Sequence, residues 1–144
     1  ELGSVGFVCM ANYCRSPVAE VLLKNRFKNL KVDSAGINPM VSAGMDFRSI
    51  NYLKDLNKEY EIHNPKKVDK FFLNSSDVVF AMDGIILMYL NKTYRNHIKK
   101  FKLFTYQHRN IQIKDPYRLS DEKYKNVMEE INFVINDFVI KDFH

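Results

Sequence analysis

Short apolar runs alternate along the chain with longer segments in which apolar residues recur at helical spacing. Residues 5–8 and 77–82 are almost continuously apolar, which is typical of short strands buried on both faces of a sheet. Elsewhere apolar side chains return every three or four residues, and this period predicts amphipathic helices. The predicted strands cover residues 5–8, 30–34, 77–82 and 102–104, and the predicted helices cover residues 17–27, 45–57, 85–90 and 124–138.

The alternation of strands and helices predicts an α/β fold. Strands joined through helices run parallel, so we expect a central four-stranded parallel sheet with helices on both faces, in three layers. The chain shows no linker, repeat or low-complexity segment, so residues 1–144 are predicted to form a single domain. Residues 1–4 are typical of a cloning remnant and are left out of the fold prediction. Ligands of such sheets bind beyond the carboxyl ends of the strands, where the loop after the first strand lies.

The loop after the first strand has the residue pattern of an N-terminal phosphate-binding loop. Cys9 ends the strand, Arg15 lies six residues later, and Ser16 and Pro17 open the next helix as its predicted cap and first helical residue. Backbone N–H groups of such a loop and of the helix N-terminus favour a dianion such as phosphate, and the Arg15 guanidinium can hold two of its oxygens. The same positive surroundings favour the thiolate form of Cys9, which is the nucleophilic form.

Cys9 and Arg15 also have simpler interpretations. A free cysteine is most often a small buried core residue, and an arginine at the start of a helix can simply be solvated. A cation at a helix N-terminus opposes the helix dipole unless an anion binds there, so the position of Arg15 favours a phosphate clamp. Together with the strand–loop–helix context, this favours Cys9 as a catalytic nucleophile.

Composition narrows the class of protein. Two cysteines, Cys9 and Cys14, are too few and too close for a disulfide framework, which favours a reducing, cytoplasmic location. Four scattered histidines do not complete a zinc site, so no metal or other cofactor is predicted. The net charge of +5 shows no single basic face, so nucleic acid is not an expected partner. No signal peptide is visible and no apolar stretch approaches the roughly 18–20 residues of a membrane span, so membrane insertion is not expected.

Residues 8–17 give the chain a resemblance to a known family. They read Val-Cys-Met-Ala-Asn-Tyr-Cys-Arg-Ser-Pro, which resembles the Val-Cys-x-Gly-Asn-x-Cys-Arg-Ser-Pro loop of the low-molecular-weight protein tyrosine phosphatases. The departure is Ala11, which stands where the family usually has glycine. If this position needs a positive φ, alanine costs about 1–2 kcal/mol, which we expect to perturb the loop modestly without loss of activity. The resemblance implies hydrolysis of phosphotyrosine through a phosphocysteine intermediate on Cys9.

A second motif of the family, Asp-Pro followed by an aromatic residue, lies before the last helix as Asp115, Pro116 and Tyr117. An Asp-Pro pair alone is a common turn dipeptide. A phenolate leaves far better when it is protonated during departure, so a tyrosine phosphatase needs a carboxylic acid over its pocket. The resemblance implies that Asp115 is this acid, that it later acts as the base for hydrolysis of the phosphocysteine, and that Tyr117 lines the entrance.

The resemblance also assigns supporting residues around the loop. Asn12 is expected to shape the loop by bonding to Ser34 and His63, although ordinary turn polarity would also explain these two residues. Ser16 is expected to donate a hydrogen bond to the Cys9 sulfur as well as to cap the helix. The expected substrate-binding positions are Met10, Ala11, Asn12, Tyr13, Cys14, Ser16, Met40 and Tyr117.

Met40 is a further departure, because many family members carry an aromatic pocket wall near this position. With Met40 and the segment 115–120, the chain resembles the bacterial subgroup, whose members act on autophosphorylated bacterial tyrosine kinases that control capsule or exopolysaccharide export. The resemblance implies a phosphotyrosine protein, and such a kinase in particular, as the partner. Recognition of the aryl group would then depend on Tyr13 and Tyr117, because a methionine wall is adaptable.

Other functions stay open at this level. An arsenate reductase on the same fold needs further cysteines to relay a disulfide, and none follows Cys14. A thiol redox protein would leave Arg15 unexplained, and the chain lacks a Cys-x-x-Cys motif. Ala11 and Met40 leave room for a phosphotyrosine-binding module without turnover, although binding alone needs neither a thiolate nor a general acid. Cys14 itself either forms a reversible disulfide with oxidised Cys9 or packs the loop.

Overall fold

A four-stranded parallel sheet forms the centre of the computed structural model, which describes residues 3–139. Its strands are β1 (Ser4–Cys9), β2 (Lys31–Gly36), β3 (Val78–Ala81) and β4 (Phe101–Leu103). They lie in the order β2-β1-β3-β4, and every neighbouring pair is parallel. The predicted α/β fold with a four-stranded parallel sheet is therefore confirmed.

Helices follow each strand. They are α1 (Ser16–Arg26), α2 (Phe47–Asp55), α3 (Lys70–Ser75), α4 (Gly84–Thr93) and α5 (Asp121–Asn136), with a 3₁₀ helix at Arg95–Lys100. The four predicted helices are all present with slightly different ends. The sequence did not predict α3 or the 3₁₀ helix, because six residues are too few for a helical period to stand out. Instead α3 is held by its buried residues Phe72 and Leu73 and by the cap Asp69, which accepts a hydrogen bond from the Phe72 N–H (2.8 Å).

Alternate strand residues divide the core into two parts. On one face of the sheet, the rings of Phe7 and Phe80 stack with centroids 5.7 Å apart and belong to a cluster with buried residues of α1, α2 and α5. On the other face, Val8 and Val79 share a cluster with buried residues of α3 and α4. Helices therefore cover both faces of the sheet and complete the three predicted layers.

The carboxyl edge of the sheet brings the loops after β1, β2 and β3 together. Cys9 at the end of β1 pairs with Gly36 at the end of β2. A Cβ atom on Gly36 would lie 2.9 Å from both the Asn12 nitrogen and the Met10 oxygen, which is closer than side-chain carbons approach backbone atoms. Glycine at this position therefore allows the Cys9 loop to lie directly against β2.

The first strand starts one residue before its predicted position. The backbone N–H groups of Gly3 and Ser4 donate to the Asp77 carboxylate, at 2.8 and 3.1 Å, so Ser4 is part of the sheet although residues 1–4 were left out of the prediction. None of the helices between residues 3 and 139 combines the length and the apolar character that a membrane span requires.

Candidate active site

The loop between β1 and α1 contains a left-handed residue, and that residue is Asn12. Its φ is 52°, a conformation that asparagine tolerates better than most residues. Among residues 3–139, the other non-glycine residues with positive φ are Ser42 and Asn57, so Ala11 has an ordinary backbone conformation. The condition under which alanine would cost energy at position 11 is therefore not met.

Ser16 has a different role from the predicted helix cap. The cap position of α1 is occupied by Arg15, without a side-chain capping bond, and Ser16 is the first residue of the helix, with Pro17 next. The Ser16 hydroxyl lies 2.9 Å from the Cys9 sulfur and accepts a hydrogen bond from the Asn12 side-chain amide (2.8 Å). The prediction that Ser16 caps the helix was wrong because these two buried groups use its hydroxyl instead.

The Asn12 amide sets the direction of these hydrogen bonds. Its Nδ2 group donates to both the Ser16 and the Ser34 hydroxyls, at 2.8 and 2.9 Å, and its Oδ1 atom accepts from the Lys66 backbone N–H (3.1 Å). Because the Ser16 oxygen accepts from Asn12, its own hydrogen is available for the Cys9 sulfur. This arrangement suits a thiolate, which accepts hydrogen bonds and cannot donate them.

Both predicted partners of Asn12 lie next to it. Besides the Ser34 contact, the His63 Nε2 atom lies 2.6 Å from the Asn12 carbonyl oxygen. The Ser34 hydroxyl in turn donates to the Glu20 carboxylate (2.6 Å). Sequence reasoning missed Glu20, although an acidic residue one helical turn after Ser16 on the following helix is the signal that could have found it.

Arg15 is buried and held on two sides. Its Nη1 atom donates to the Asp83 carboxylate (2.7 Å) and to the Ile113 carbonyl oxygen (2.8 Å). Burial opposes the charge on the guanidinium, but electrostatic interaction with Cys9 and with the Asp83 carboxylate raises the pKa of Arg15 above its usual range. Sequence reasoning missed Asp83; its signal is its place just after β3, at the carboxyl edge of the sheet.

A pocket of about 240 Å³ opens above the loop and joins the three residues that the sequence predicted to be catalytic. Asn12 and Ser16 are fully buried and are not among its lining residues. Both were expected to bind substrate, but the structure places neither of them at the pocket surface. Asn38 also lines the pocket and was not predicted. A larger groove along α1 borders Ser34 and His63 but contains none of the three predicted catalytic residues. The lining residues of the smaller pocket are Cys9, Met10, Ala11, Tyr13, Cys14, Arg15, Asn38, Met40, Asp115 and Tyr117.

The Asp115 loop lies at the mouth of this pocket. The exposed Asp115 carboxylate accepts a hydrogen bond from the Tyr117 N–H (3.2 Å), as in a turn closed by an aspartate side chain. The Tyr117 ring meets the Tyr13 ring edge to face, with centroids 5.9 Å apart. The pocket therefore has two aromatic walls, one from each loop.

Cys14 differs from Cys9 although both are free, buried cysteines of one loop. Its sulfur lies 3.8 Å from the Asp46 carboxylate, and the Ser49 hydroxyl donates to its carbonyl oxygen (2.9 Å). Burial raises the pKa of Cys14 to about 12, so this side chain is a protonated thiol at neutral pH. It is therefore unsuited to act as a nucleophile.

Comparison with known proteins supports the family resemblance seen in the sequence. Residues 4–141 match the low molecular weight phosphotyrosine protein phosphatase family. The chain is 31% identical over 120 residues to the low molecular weight protein-tyrosine-phosphatase Wzb of Escherichia coli K12, over 83% of this chain and 82% of that protein. The crystal structure of the tyrosine phosphatase Wzb from Escherichia coli K30 in complex with sulphate has a TM-score of 0.88 at 25% identity, covering 94% of this chain and 95% of the other.

The same fold also serves other phosphatases. The YwlE arginine phosphatase from Geobacillus stearothermophilus has a TM-score of 0.84 at 24% identity, over 92% of this chain and 88% of that chain. At this identity the likeness concerns the fold alone, so the fold does not select the phosphorylated residue. The family match, in contrast, spans the segment from Cys9 to Asp115 and confirms the resemblance seen in the sequence. The chain belongs to the low molecular weight phosphotyrosine protein phosphatase family, and it is a phosphatase.

Proposed function

We propose that this phosphatase hydrolyses protein phosphotyrosine through a phosphocysteine intermediate on Cys9. The observation that carries the proposal is that Cys9, Arg15 and Asp115 line one small pocket. In this proposal Cys9 is the nucleophile, Arg15 and the loop N–H groups bind the phosphoryl oxygens, and Asp115 transfers the protons. These are the three functions that hydrolysis of a phosphate monoester with a phenolic leaving group requires.

The first step forms a sulfur–phosphorus bond and breaks the phosphorus–oxygen bond to tyrosine. The Cys9 thiolate supplies the electron pair, and Asp115 in its acid form gives its proton to the departing tyrosine oxygen. Arg15 stays charged because the Cys9 and Asp83 charges outweigh the effect of its burial, so it can stabilise the equatorial oxygens. Tyrosine leaves as the neutral phenol.

The second step returns the enzyme to its starting state. The Asp115 carboxylate removes a proton from a water molecule, which attacks phosphorus as the sulfur–phosphorus bond breaks. Inorganic phosphate is released, and Cys9 is again a thiolate. The Ser16 hydroxyl stabilises this thiolate, because it accepts a hydrogen bond from Asn12 and can donate its own hydrogen to the sulfur. Ser34 and His63 support this arrangement through their contacts with Asn12.

The pocket walls support an aromatic substrate. Tyr13 and Tyr117 form an edge-to-face pair at the mouth, and Met40 supplies an adaptable third wall. An aryl ring packed against these walls would place its phosphate at the Cys9 loop. The loop residues Met10 and Ala11 and the thiol of Cys14 complete the substrate-binding surface.

The proposed partner is an autophosphorylated bacterial tyrosine kinase that controls polysaccharide export. The similarity to Wzb supports this proposal, as does Met40 in place of an aromatic residue. We further propose that residues 1–144 act as one domain in the cytoplasm, where a reducing environment keeps Cys9 reduced. The proposed reaction uses no metal, cofactor or nucleic acid.

Phosphate release from matched peptides tests the proposal. Three peptides of one sequence would carry phosphotyrosine, phosphoserine or phosphoarginine at the same position, and release would be measured with the unmodified chain and with Cys9→Ser. We expect release from the phosphotyrosine peptide, none with Cys9→Ser, and at least tenfold less from the other two peptides. Tight binding of phosphotyrosine without release would favour a binding module, and preferred release from phosphoarginine would reassign the substrate. Reduction of arsenate without phosphate release would favour a reductase.

A further inference from the structure

The backbone that follows Asp115 is held by a side chain from another part of the chain, just as Arg15 holds the Ile113 carbonyl group before it. Arg48, the second residue of α2, donates from Nη2 to the Tyr117 carbonyl oxygen (2.9 Å) and from Nη1 to the Leu119 carbonyl oxygen (2.8 Å). Both acceptors lie within four residues of Asp115 along the chain. The guanidinium therefore holds the segment that connects the exposed Asp115 to α5.

The Arg48 guanidinium is itself fixed on several sides. Its carbon atom lies 4.0 Å from the centroid of the Tyr124 ring, and its Nε atom lies 3.6 Å from the Asp46 carboxylate. Its Nη1 atom also lies 3.3 Å from the exposed Asp121 carboxylate at the start of α5. With 19% of the side chain exposed, Arg48 is mostly shielded from solvent. A planar, stacked guanidinium with paired donors suits this place, whereas a lysine ammonium could not make the same set of contacts.

The same group of residues contacts the Cys9 loop. Asp46, the cap of α2, donates its backbone N–H to the Tyr13 carbonyl oxygen (3.1 Å), and its side chain lies 3.8 Å from the Cys14 sulfur. Asp46 also pairs with Arg48. A continuous series of contacts therefore runs from the loop that carries the nucleophile, through Asp46 and Arg48, to the loop that carries Asp115.

We propose that Arg48 is a positioning residue that sets where the Asp115 carboxyl group lies relative to Cys9. The proposal rests on the proposed function, because it takes Asp115 as the proton donor. Proton transfer needs the acid within hydrogen-bond reach of the leaving oxygen, so a small shift of the loop lowers the rate strongly. Arg48 touches neither the phosphate nor the reacting atoms in this proposal, and its effect passes through the Tyr117 and Leu119 carbonyl groups.

The test compares two esters that differ in their need for an acid. For Arg48→Gln we expect kcat/KM on the phosphotyrosine peptide to fall about 10–100-fold. On 2,4-dinitrophenyl phosphate, whose strongly acidic phenol leaves without protonation, we expect a fall of less than about threefold. The ratio kcat/KM is used because it reports steps up to phosphocysteine formation. An equal loss on both esters, or no loss on either, would overturn the proposal.

Arg26→Gln is the matched control for general loss of stability. Arg26 also donates to a backbone carbonyl group, that of Ile135 (2.6 Å), and its guanidinium carbon lies 4.6 Å from the centroid of the Phe27 ring, but it does not line the pocket. We expect Arg26→Gln to lower the melting temperature about as much as Arg48→Gln does, without changing the ratio of kcat/KM between the two esters. A similar change of that ratio in Arg26→Gln would mean that lost stability explains the effect, and this would also overturn the proposal.

A double-mutant cycle separates this proposal from the assignment of Asp115. If Arg48 acts through Asp115, Arg48→Gln should cost little more on the phosphotyrosine peptide once Asp115→Asn is present. If the fold-losses of the two single variants multiply in the double variant, the proposed role of Arg48 is overturned, while Asp115 remains the acid. If Asp115→Asn instead lowers activity equally on both esters, Asp115 is not the proton donor and this part of the proposed function is wrong. The single variant Asp115→Asn is enough to show this result. Arg48→Lys, which keeps the charge, should recover less than half of the lost activity if the guanidinium geometry matters.

Discussion

The Cys9 loop and the Asp115 loop line the same pocket but are held in place in different ways. The Cys9 loop is supported from beneath by buried groups, because Asn12 is fully buried and is bound by Ser34 and His63. The Asp115 carboxylate is exposed, and the backbone beyond it is held by Arg48 from α2. One loop is therefore fixed by a dense network of hydrogen bonds around a buried side chain, and the other by fewer contacts, with an exposed carboxylate.

This difference separates two parts of the chemistry. In the proposed mechanism, the groups that bind phosphate and stabilise the Cys9 thiolate serve every phosphate ester, and they belong to the well-supported Cys9 loop. The proposed proton donor, Asp115, matters in proportion to how poor the leaving group is, and it lies in the loop with fewer supports. Changes in the Cys9 loop should therefore affect all esters alike, whereas changes around Asp115 should depend on the leaving group.

Cys9→Ser should have the largest effect of any substitution in the pocket. A serine hydroxyl is not ionised at neutral pH, so we expect kcat to fall on the order of 10⁵-fold or more on every ester. Inorganic phosphate should still bind, because Arg15 and the loop backbone are unchanged. Phosphate release and calorimetric titration with inorganic phosphate check the two parts, and appreciable turnover would remove Cys9 as the nucleophile.

Asp115→Asn should have a large effect that depends on the ester. Asparagine keeps the size of the side chain but cannot donate the acid proton, so we expect kcat/KM on a phosphotyrosine peptide to fall about 10²–10³-fold. On 2,4-dinitrophenyl phosphate the fall should be less than about fivefold, since that leaving group needs no proton. Steady-state kinetics on the two esters measure the ratio. Equal losses would mean that the two loops do not divide the chemistry in this way.

The parts that the sequence predicted well are those determined locally. Cys9 and Arg15 lie within one strand–loop–helix segment, so their spacing predicts that they share a site, and the structure places both in the lining of one pocket. Buried apolar runs likewise predicted β1 and β3, because burial on both faces leaves an almost continuous apolar pattern. The family resemblance added Asp115, whose distance along the chain from Cys9 hides their proximity.

The parts that the sequence did not predict depend on which side chains meet in the folded chain. Ser16 has the residue type of a helix cap, but the buried Cys9 and Asn12 side chains take its hydroxyl. Asp83 and Arg48 look like ordinary polar residues of helix starts, and only the packing of the helices against the sheet edge shows what they hold. Local propensity cannot show which group a polar side chain meets once the chain is folded.

Gly36→Ala should disturb the Cys9 loop and lower activity on both esters to the same extent. The added methyl group would lie 2.9 Å from backbone atoms of Met10 and Asn12, which cannot rotate away, so the Cys9 loop must shift. We expect a loss of about 1–3 kcal/mol in the free energy of unfolding and a similar fall, about tenfold, in kcat/KM on both esters. Gly84→Ala is the control, because a methyl group there meets no atom within 4 Å. A loss confined to the phosphotyrosine peptide would contradict the comparison.

Ala11→Gly should have the smallest effect, although it restores the residue that the family usually has at this position. Asn12, and not Ala11, has the left-handed conformation in this loop, so glycine at position 11 relieves no backbone strain. It adds freedom to the unfolded chain instead, and we expect the free energy of unfolding to fall by about 0.4–1 kcal/mol in urea denaturation. The network around Asn12 keeps the loop in shape, so kcat/KM should change less than about twofold on either ester. A rise of tenfold or more would show that the Ala11 methyl group, and not the hydrogen-bond network, determines the shape of the loop.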